Sequence, residues 1–198
     1  MIDSYNRLKH LALSIEWDDG SQDKINILIP QLMRMQVEND IPILSIECKM
    51  PDLKFEEFLR FYVKKKFLDE NNIKINFIGK WYDQSDSIVK VIKDLVKSTS
   101  SYSNYFFNFI VNYDGQEEIV DACRILCRQV IANKLDIDQI NKMKLKDNMY
   151  TSYFVPPEKI LIVSANERNS KGFLLWDSYH SETDVVNSYD FEEIKKKI

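Results

Sequence analysis

Short apolar runs of strand length alternate with amphipathic stretches of helical period along most of the 198 residues, and few folds accept that pattern. Leu11 to Trp17 is apolar and halts at Asp18-Asp19-Gly20, as a strand entering a turn does. Ile25, Leu28, Ile29, Leu32, Met33 and Val37 then recur at helical spacing. Asp40 and Pro42 lead into a second strand, Ile43 to Ile46, and a helix is predicted over Phe55 to Leu68. Ile73 to Ile78 alternates as a third strand, and Asp86 to Lys97 is helical. Phe106 to Val111 is apolar almost throughout, like a strand covered on both faces. Glu117 to Ala132 reads as a helix, Ile160 to Ser164 as a fifth strand, Gly172 to Trp176 as a sixth, and Asp190 to Lys197 as a closing helix.

Strands and helices in alternation predict an α/β fold with a mostly parallel six-stranded central sheet flanked by helices. The length suits one domain over residues 1–198. Ligands of such sheets bind beyond the carboxyl ends of the strands. Here those ends are Glu16-Trp17, Glu47-Cys48, Gly79-Lys80, Asn112-Tyr113 and Ser164 to Glu167.

A net charge of −4 and a pI near 5.3 leave no basic field to recruit nucleic acid. The runs Lys64-Lys65-Lys66 and Lys195-Lys196-Lys197 read as solvated helix faces. Cys48, Cys123 and Cys127 lack the spacing of a disulfide scaffold, and no histidine stands near the latter two to complete a metal site. They are expected to be buried free thiols in a reducing, cytosolic compartment. The opening residues show neither the charged nor the apolar region of a secretory signal. No run approaches the ~20 apolar residues of a membrane span, so a bilayer would be reached by lying on it or through a partner. His10 and His180 share no pattern with other metal ligands, and four glycines leave no phosphate-cradling loop.

The second half carries motifs in register. Ile75-Asn76-Phe77-Ile78-Gly79 and the stretch Phe107 to Val120 (FNFIVNYDGQEEIV) resemble two consecutive signatures of the cis-prenyltransferases, RFIGD and LNIALNYGGRDEIV. Leu135 to Ile140, Tyr150-Thr151, Val155-Pro156 and Ile160-Leu161-Ile162 follow in the order of that family's YT…LPDPDLLIRTSGE stretch. Phe173-Leu174-Leu175-Trp176, with Glu182 six residues after the tryptophan, is similar to the closing FLLWQxxYxEF. The likeness covers residues 73–194 well and 8–49 loosely.

The resemblance implies enzymes that add isopentenyl diphosphate to an allylic diphosphate with cis geometry. Magnesium and arginines neutralise the departing diphosphate in that chemistry. Set on the family's motifs, this chain departs at nearly every charged position. The Asp-Gly-Asn loop falls on Glu16, Trp17 and Asp18, where an indole cannot replace a glycine against a phosphate. The loop is shorter by roughly ten residues and lacks its arginines. FSTENW has no counterpart in Cys48 to Asp52. Of RTSGExRxS, the arginines fall on Val163 and Asn169, and the serine on Lys171. Arg168 and Lys171 remain as candidate phosphate contacts, and Glu16 and Glu182 as candidate magnesium ligands.

The resemblance thus implies a scaffold without its catalytic residues, like the accessory subunits of heteromeric cis-prenyltransferases, the Nogo-B receptor-like group. Gly172-Phe173-Leu174-Leu175-Trp176 is similar to that group's GFLPW segment and is the expected partner interface. Those accessory chains end in an Arg-x-Gly motif, whereas this sequence reads Lys195-Lys196-Lys197-Ile198 at the same place. The expected partner is a catalytic homologue, with magnesium in that partner and no cofactor in this chain. The pair would make polyprenyl diphosphate for glycan carrier lipid. The alternatives are a divergent magnesium-dependent enzyme active alone, and a homodimeric isoprenoid-binding protein.

Overall fold

The computed structural model describes residues 8–16, 20–48, 52–61, 65–164 and 172–198. Six strands form one sheet: β1 His10–Ile15, β2 Ile43–Cys48, β3 Ile73–Ile78, β4 Tyr105–Ile110, β5 Lys159–Val163 and β6 Glu182–Val186. Their order across the sheet is β3-β4-β2-β1-β5-β6. Every pairing is parallel, so all carboxyl ends lie along one edge. The helices are α1 Gln22–Glu38, α2 Asp52–Phe61, α3 Lys65–Asn71, α4 Asp86–Ser98, α5 Gly115–Ile131, α6 Lys142–Lys146 and α7 Phe191–Lys195.

Side-chain alternation along the strands builds a core on each face. Leu11, Leu13 and Ile15 of β1 join Ile25, Leu28, Ile29 and Leu32 of α1 and Ile88 and Ile92 of α4 in the larger core. Phe109 organises the aromatic part of that core, with Phe55, Phe58, Phe77 and Phe107 around it at ring-centroid distances of 5.0–6.2 Å. Ala12 faces the other way and packs with Ile110, Tyr113, Ile160, Ile162, Phe173 and Leu174.

Polar side chains run across this second face beneath the smaller core. His10 Nδ1 donates to the Val155 carbonyl at 2.6 Å, and its Nε2 accepts from the Ser45 hydroxyl at 2.8 Å. Asn108 Nδ2 donates to the same hydroxyl, and Asn76 Nδ2 donates to Asn108 Oδ1. One hydrogen-bonded file therefore crosses β1, β2, β4 and β3, and it needs a neutral imidazole to be complete. Burial pulls the His10 pKa down to about 4, which keeps the ring neutral.

Three expectations need correction. Gly172 to Trp176 is not a strand; it is a turn leading into a 3-10 turn at Asp177–His180, and the sixth strand is β6. The turn presses Phe173 and Leu174 into the smaller core, with Leu174 at φ +45°, a region bulky residues rarely adopt. Cys123 and Cys127 are exposed, because α5 buries Gly115, Glu118, Ala122 and Leu126 and turns its cysteines outward. The helix expected over Phe55 to Leu68 is two described helices, α2 and α3, with residues 62–64 outside the description. Cys48 ends β2, and its side chain is among those not described.

Candidate functional sites at the carboxyl edge and over the smaller core

Parallel topology gathers the candidate ligand-binding residues along the carboxyl edge, where the described residues include the carboxylates Glu16 and Glu47. Glu16 follows β1; its carboxylate accepts from the Ser164 hydroxyl, and its backbone N–H donates to the Val163 carbonyl at 2.9 Å. Glu47, 4% exposed, accepts from the Ser14 hydroxyl at 2.9 Å. Val163, on which the resemblance places an arginine, is wholly buried in the larger core. Trp17, Asp18, Arg168, Asn169 and Lys171 lie outside the described residues.

Beyond β3 and β4 a cavity of about 460 Å³ opens against Lys80, Tyr113, Asp114, Glu117 and Tyr150. A free cation there would suit a phosphate, but Lys80 is bound to Glu117 at 3.1 Å and Asp121 at 3.3 Å. Arg124 is bound to the same two carboxylates at 3.2 and 2.8 Å. The Tyr150 hydroxyl donates to Asp121 and, ahead of Arg124 and Lys80, holds that carboxyl well below its usual range. The first amides of α5 could receive an anion. They are instead capped by Asp114, which accepts from Gln116 and Glu117 N–H at 2.8 and 3.0 Å.

One buried carboxylate escaped sequence reasoning. Glu118, 1% exposed, accepts from the Tyr113 hydroxyl at 2.7 Å and from the Thr151 N–H and hydroxyl at 3.1 Å each. Burial first, and Glu118 second, push the Tyr113 hydroxyl pKa upward. Glu118 thereby ties α5 to the loop before β5. An acidic residue at a core position of a helical pattern was the available signal.

The two candidate magnesium ligands do not meet within one chain. Glu182 pairs with Lys159, which pairs with Leu11, so it is level with a residue five places before Glu16. At about 3.3 Å per residue, roughly 16 Å of strand separates them. Glu182 is exposed and lies 3.4 Å from Lys159. Among the described residues no three histidine, cysteine or carboxylate side chains group to hold a metal. The described donors do not fit a magnesium site built from Glu16 and Glu182.

Over the face that carries the smaller core lies a larger groove of about 820 Å³, whose walls include Tyr153, Phe154, Val155, Leu175, Trp176 and Tyr179. The aromatic tips stand out into solvent, Tyr153 at 91% and Tyr179 at 82% exposure. In its wall Lys146 Nζ donates to the Thr151 carbonyl at 2.9 Å, the Thr151 hydroxyl at 2.8 Å and Asp177 Oδ2 at 2.6 Å. Of the expected interface segment, Leu175 and Trp176 line this groove, while Phe173 and Leu174 are committed to the chain's own core. Gly115 fixes the turn: a Cβ there would stand 2.2 Å from the Gly172 carbonyl oxygen. No described helix is long and apolar enough to cross a membrane.

Residues 47–195 match the family described as "Putative undecaprenyl diphosphate synthase". A tritrans,polycis-undecaprenyl-diphosphate synthase (geranylgeranyl-diphosphate specific) of Thermoplasma volcanium is 34% identical over 120 residues, 61% of this chain and 46% of the relative. The synthase of the same name from Pyrococcus horikoshii is 32% identical over 142 residues, 72% of this chain and 53% of the relative. The chain spans about half the length of the curated relatives it matches. In fold it is similar to lavandulyl diphosphate synthase from Lavandula x intermedia, solved with dimethylallyl diphosphate (TM-score 0.86, 19% identity, covering 96% of this chain and 93% of that one). A "probable undecaprenyl diphosphate synthase" from Campylobacter jejuni matches at a TM-score of 0.70 and 23% identity, covering 97% and 94%. With six parallel strands in this order and the family's profile over three quarters of its length, the chain belongs to the cis-prenyltransferase family.

Proposed function

We propose that this chain is a non-catalytic subunit of a heteromeric cis-prenyltransferase, acting by binding and stabilising a catalytic homologue. The pair makes long-chain polyprenyl diphosphate for glycan carrier lipid. The observation that carries this reading is the contrast between the carboxyl edge of the sheet and the groove over the smaller core. At the carboxyl edge the described cations Lys80 and Arg124 are already neutralised, and a buried valine replaces an arginine. A diphosphate needs free cations and N–H donors, because its charge must be met as it leaves water. Over the smaller core, an apolar groove rimmed by exposed tyrosines has the character of a partner surface.

The synthase names of the curated relatives favour a second reading, a divergent magnesium-dependent enzyme active alone. Co-expression with a full-motif homologue of the same organism separates the two. A stable complex with raised activity, weakened by Tyr153→Ala with Tyr179→Ala, is the expected result. Absence of a complex contradicts the subunit reading.

A further inference from the structure

The link from α5 to α6 carries apolar side chains that the fold leaves outside. Ile131 is 82% exposed, Ile137 67%, Ile140 40% and Met143 68%. The backbone beneath them is tied down. Asn133 follows α5 at φ +53°, and the Lys134 N–H donates to the Gln129 carbonyl at 2.9 Å. Asp136 caps the 3-10 turn Ile137–Gln139, and Asn141 caps α6. α6 packs back on α5, where Gln129 Nε2 donates to Asn148 Oδ1 at 3.1 Å. Side chains three apart eclipse in a 3-10 turn, so Ile137 and Ile140 share one side. Single exposed apolar residues are ordinary; four within residues 131–143, on a capped turn, mark an interaction surface.

The charges around these residues identify what the surface meets. Arg128, Lys134, Lys142 and Lys144 are all exposed, and none is ion-paired among the described residues. Arg128 and Ile131, three apart on α5, share a helix face. Two carboxylates stand in the same stretch, Asp136 and Asp138, and Asp136 is turned onto its own backbone, accepting from the Asp138 N–H at 3.3 Å. The link is therefore cationic in a chain of net charge −4. Lys142 and Lys144 flank Met143 directly. Protein interfaces deplete lysine around their apolar centres. A bilayer accepts the mixture, because the lysine stem lies along the acyl boundary while its ammonium reaches the headgroups.

We propose that the α5–α6 link is a docking surface for an anionic lipid bilayer. Ile131, Ile137, Ile140 and Met143 enter the headgroup boundary, and the four cations meet the lipid phosphates and carboxylates. The surface serves the chain with or without a catalytic partner, so it stands apart from the subunit reading. The test sediments the purified chain with vesicles of equimolar phosphatidylcholine and phosphatidylserine, and with vesicles of phosphatidylcholine alone. Binding to the first and not the second is expected, weakened by added salt. Arg128→Gln with Lys134→Gln and Lys144→Gln spares Lys142, which borders the groove, and should lower affinity about a hundred-fold, or about five-fold per cation. Ile131→Ser with Met143→Ser keeps every charge and should lower it about ten-fold or more. The two variants share no position, so either serves if the other fails to fold. No binding of the wild-type chain to anionic vesicles overturns the proposal, as does equal binding to neutral ones or wild-type affinity in a folded variant. Vesicle binding left intact while binding of the homologue is lost assigns the surface to a protein instead and likewise overturns it.

Discussion

Glu16 and Glu182 stand at opposite ends of one parallel sheet, with roughly 16 Å of strand between their levels. Within a single chain the two carboxylates act independently. Magnesium titrated into the isolated chain is expected to bind no more weakly in Glu16→Gln or Glu182→Gln than in the wild type. Isothermal calorimetry checks this; a loss of tight binding in both variants would mean that they share an ion.

Val163→Arg introduces the residue type that the sequence resemblance places there, and it is expected to harm rather than restore. The position is fully enclosed by the larger core. An unpaired guanidinium in such a place costs about 3–5 kcal/mol. Denaturant unfolding should show that loss, with no diphosphate binding gained.

Acid should weaken the fold before most carboxylates titrate. His10 has a folded pKa of about 4, below its unfolded value of 6.5, so its contribution is complete above 6.5 and shrinks as pH falls toward 4. Between pH 6.5 and 5 the expected loss is about 2 kcal/mol. His10→Gln should flatten that slope in unfolding curves taken at each pH.

Gly115→Ala tests the contact that sets the groove. Its Cβ would meet the Gly172 carbonyl oxygen at 2.2 Å and Leu175 Cβ at 2.6 Å, one of them backbone that cannot rotate away. A loss of about 1–3 kcal/mol is expected. Partner affinity should fall as well, since Leu175 and Trp176 move with the turn.

Cys123 and Cys127 should react with a thiol reagent in the native chain at the rate of free peptide thiols. Changing both to serine should alter stability by less than about 0.5 kcal/mol per site. Slow reaction only on unfolding would contradict their exposure on α5.

The strand-and-helix alternation was legible because β1, β4 and β5 are covered on both sides and read as apolar runs, while the edge strand β3 alternates. The sixth strand was not. Its residues Glu182 and Asp184 carry charge, as an edge strand tolerates, and Lys159 answers both. The nearby apolar run from Phe173 to Trp176 mimics a strand while serving as a core-filling turn. The cysteines misled for a related reason: hydrophobic type suggested the inside, but the helix face is decided by Ala122 and Leu126. The capture of Lys80 by Glu117 and Asp121 needed the fold, because β3 and α5 bring those residues together across more than thirty positions, whereas Arg124 meets the same two carboxylates within α5.

The most direct test is to incubate the purified chain alone with labelled isopentenyl diphosphate, an allylic diphosphate and magnesium, then repeat with the homologous synthase added. The account expects no elongated product from the chain alone and a rise above the synthase's own rate from the mixture. Elongation by the chain alone would contradict it.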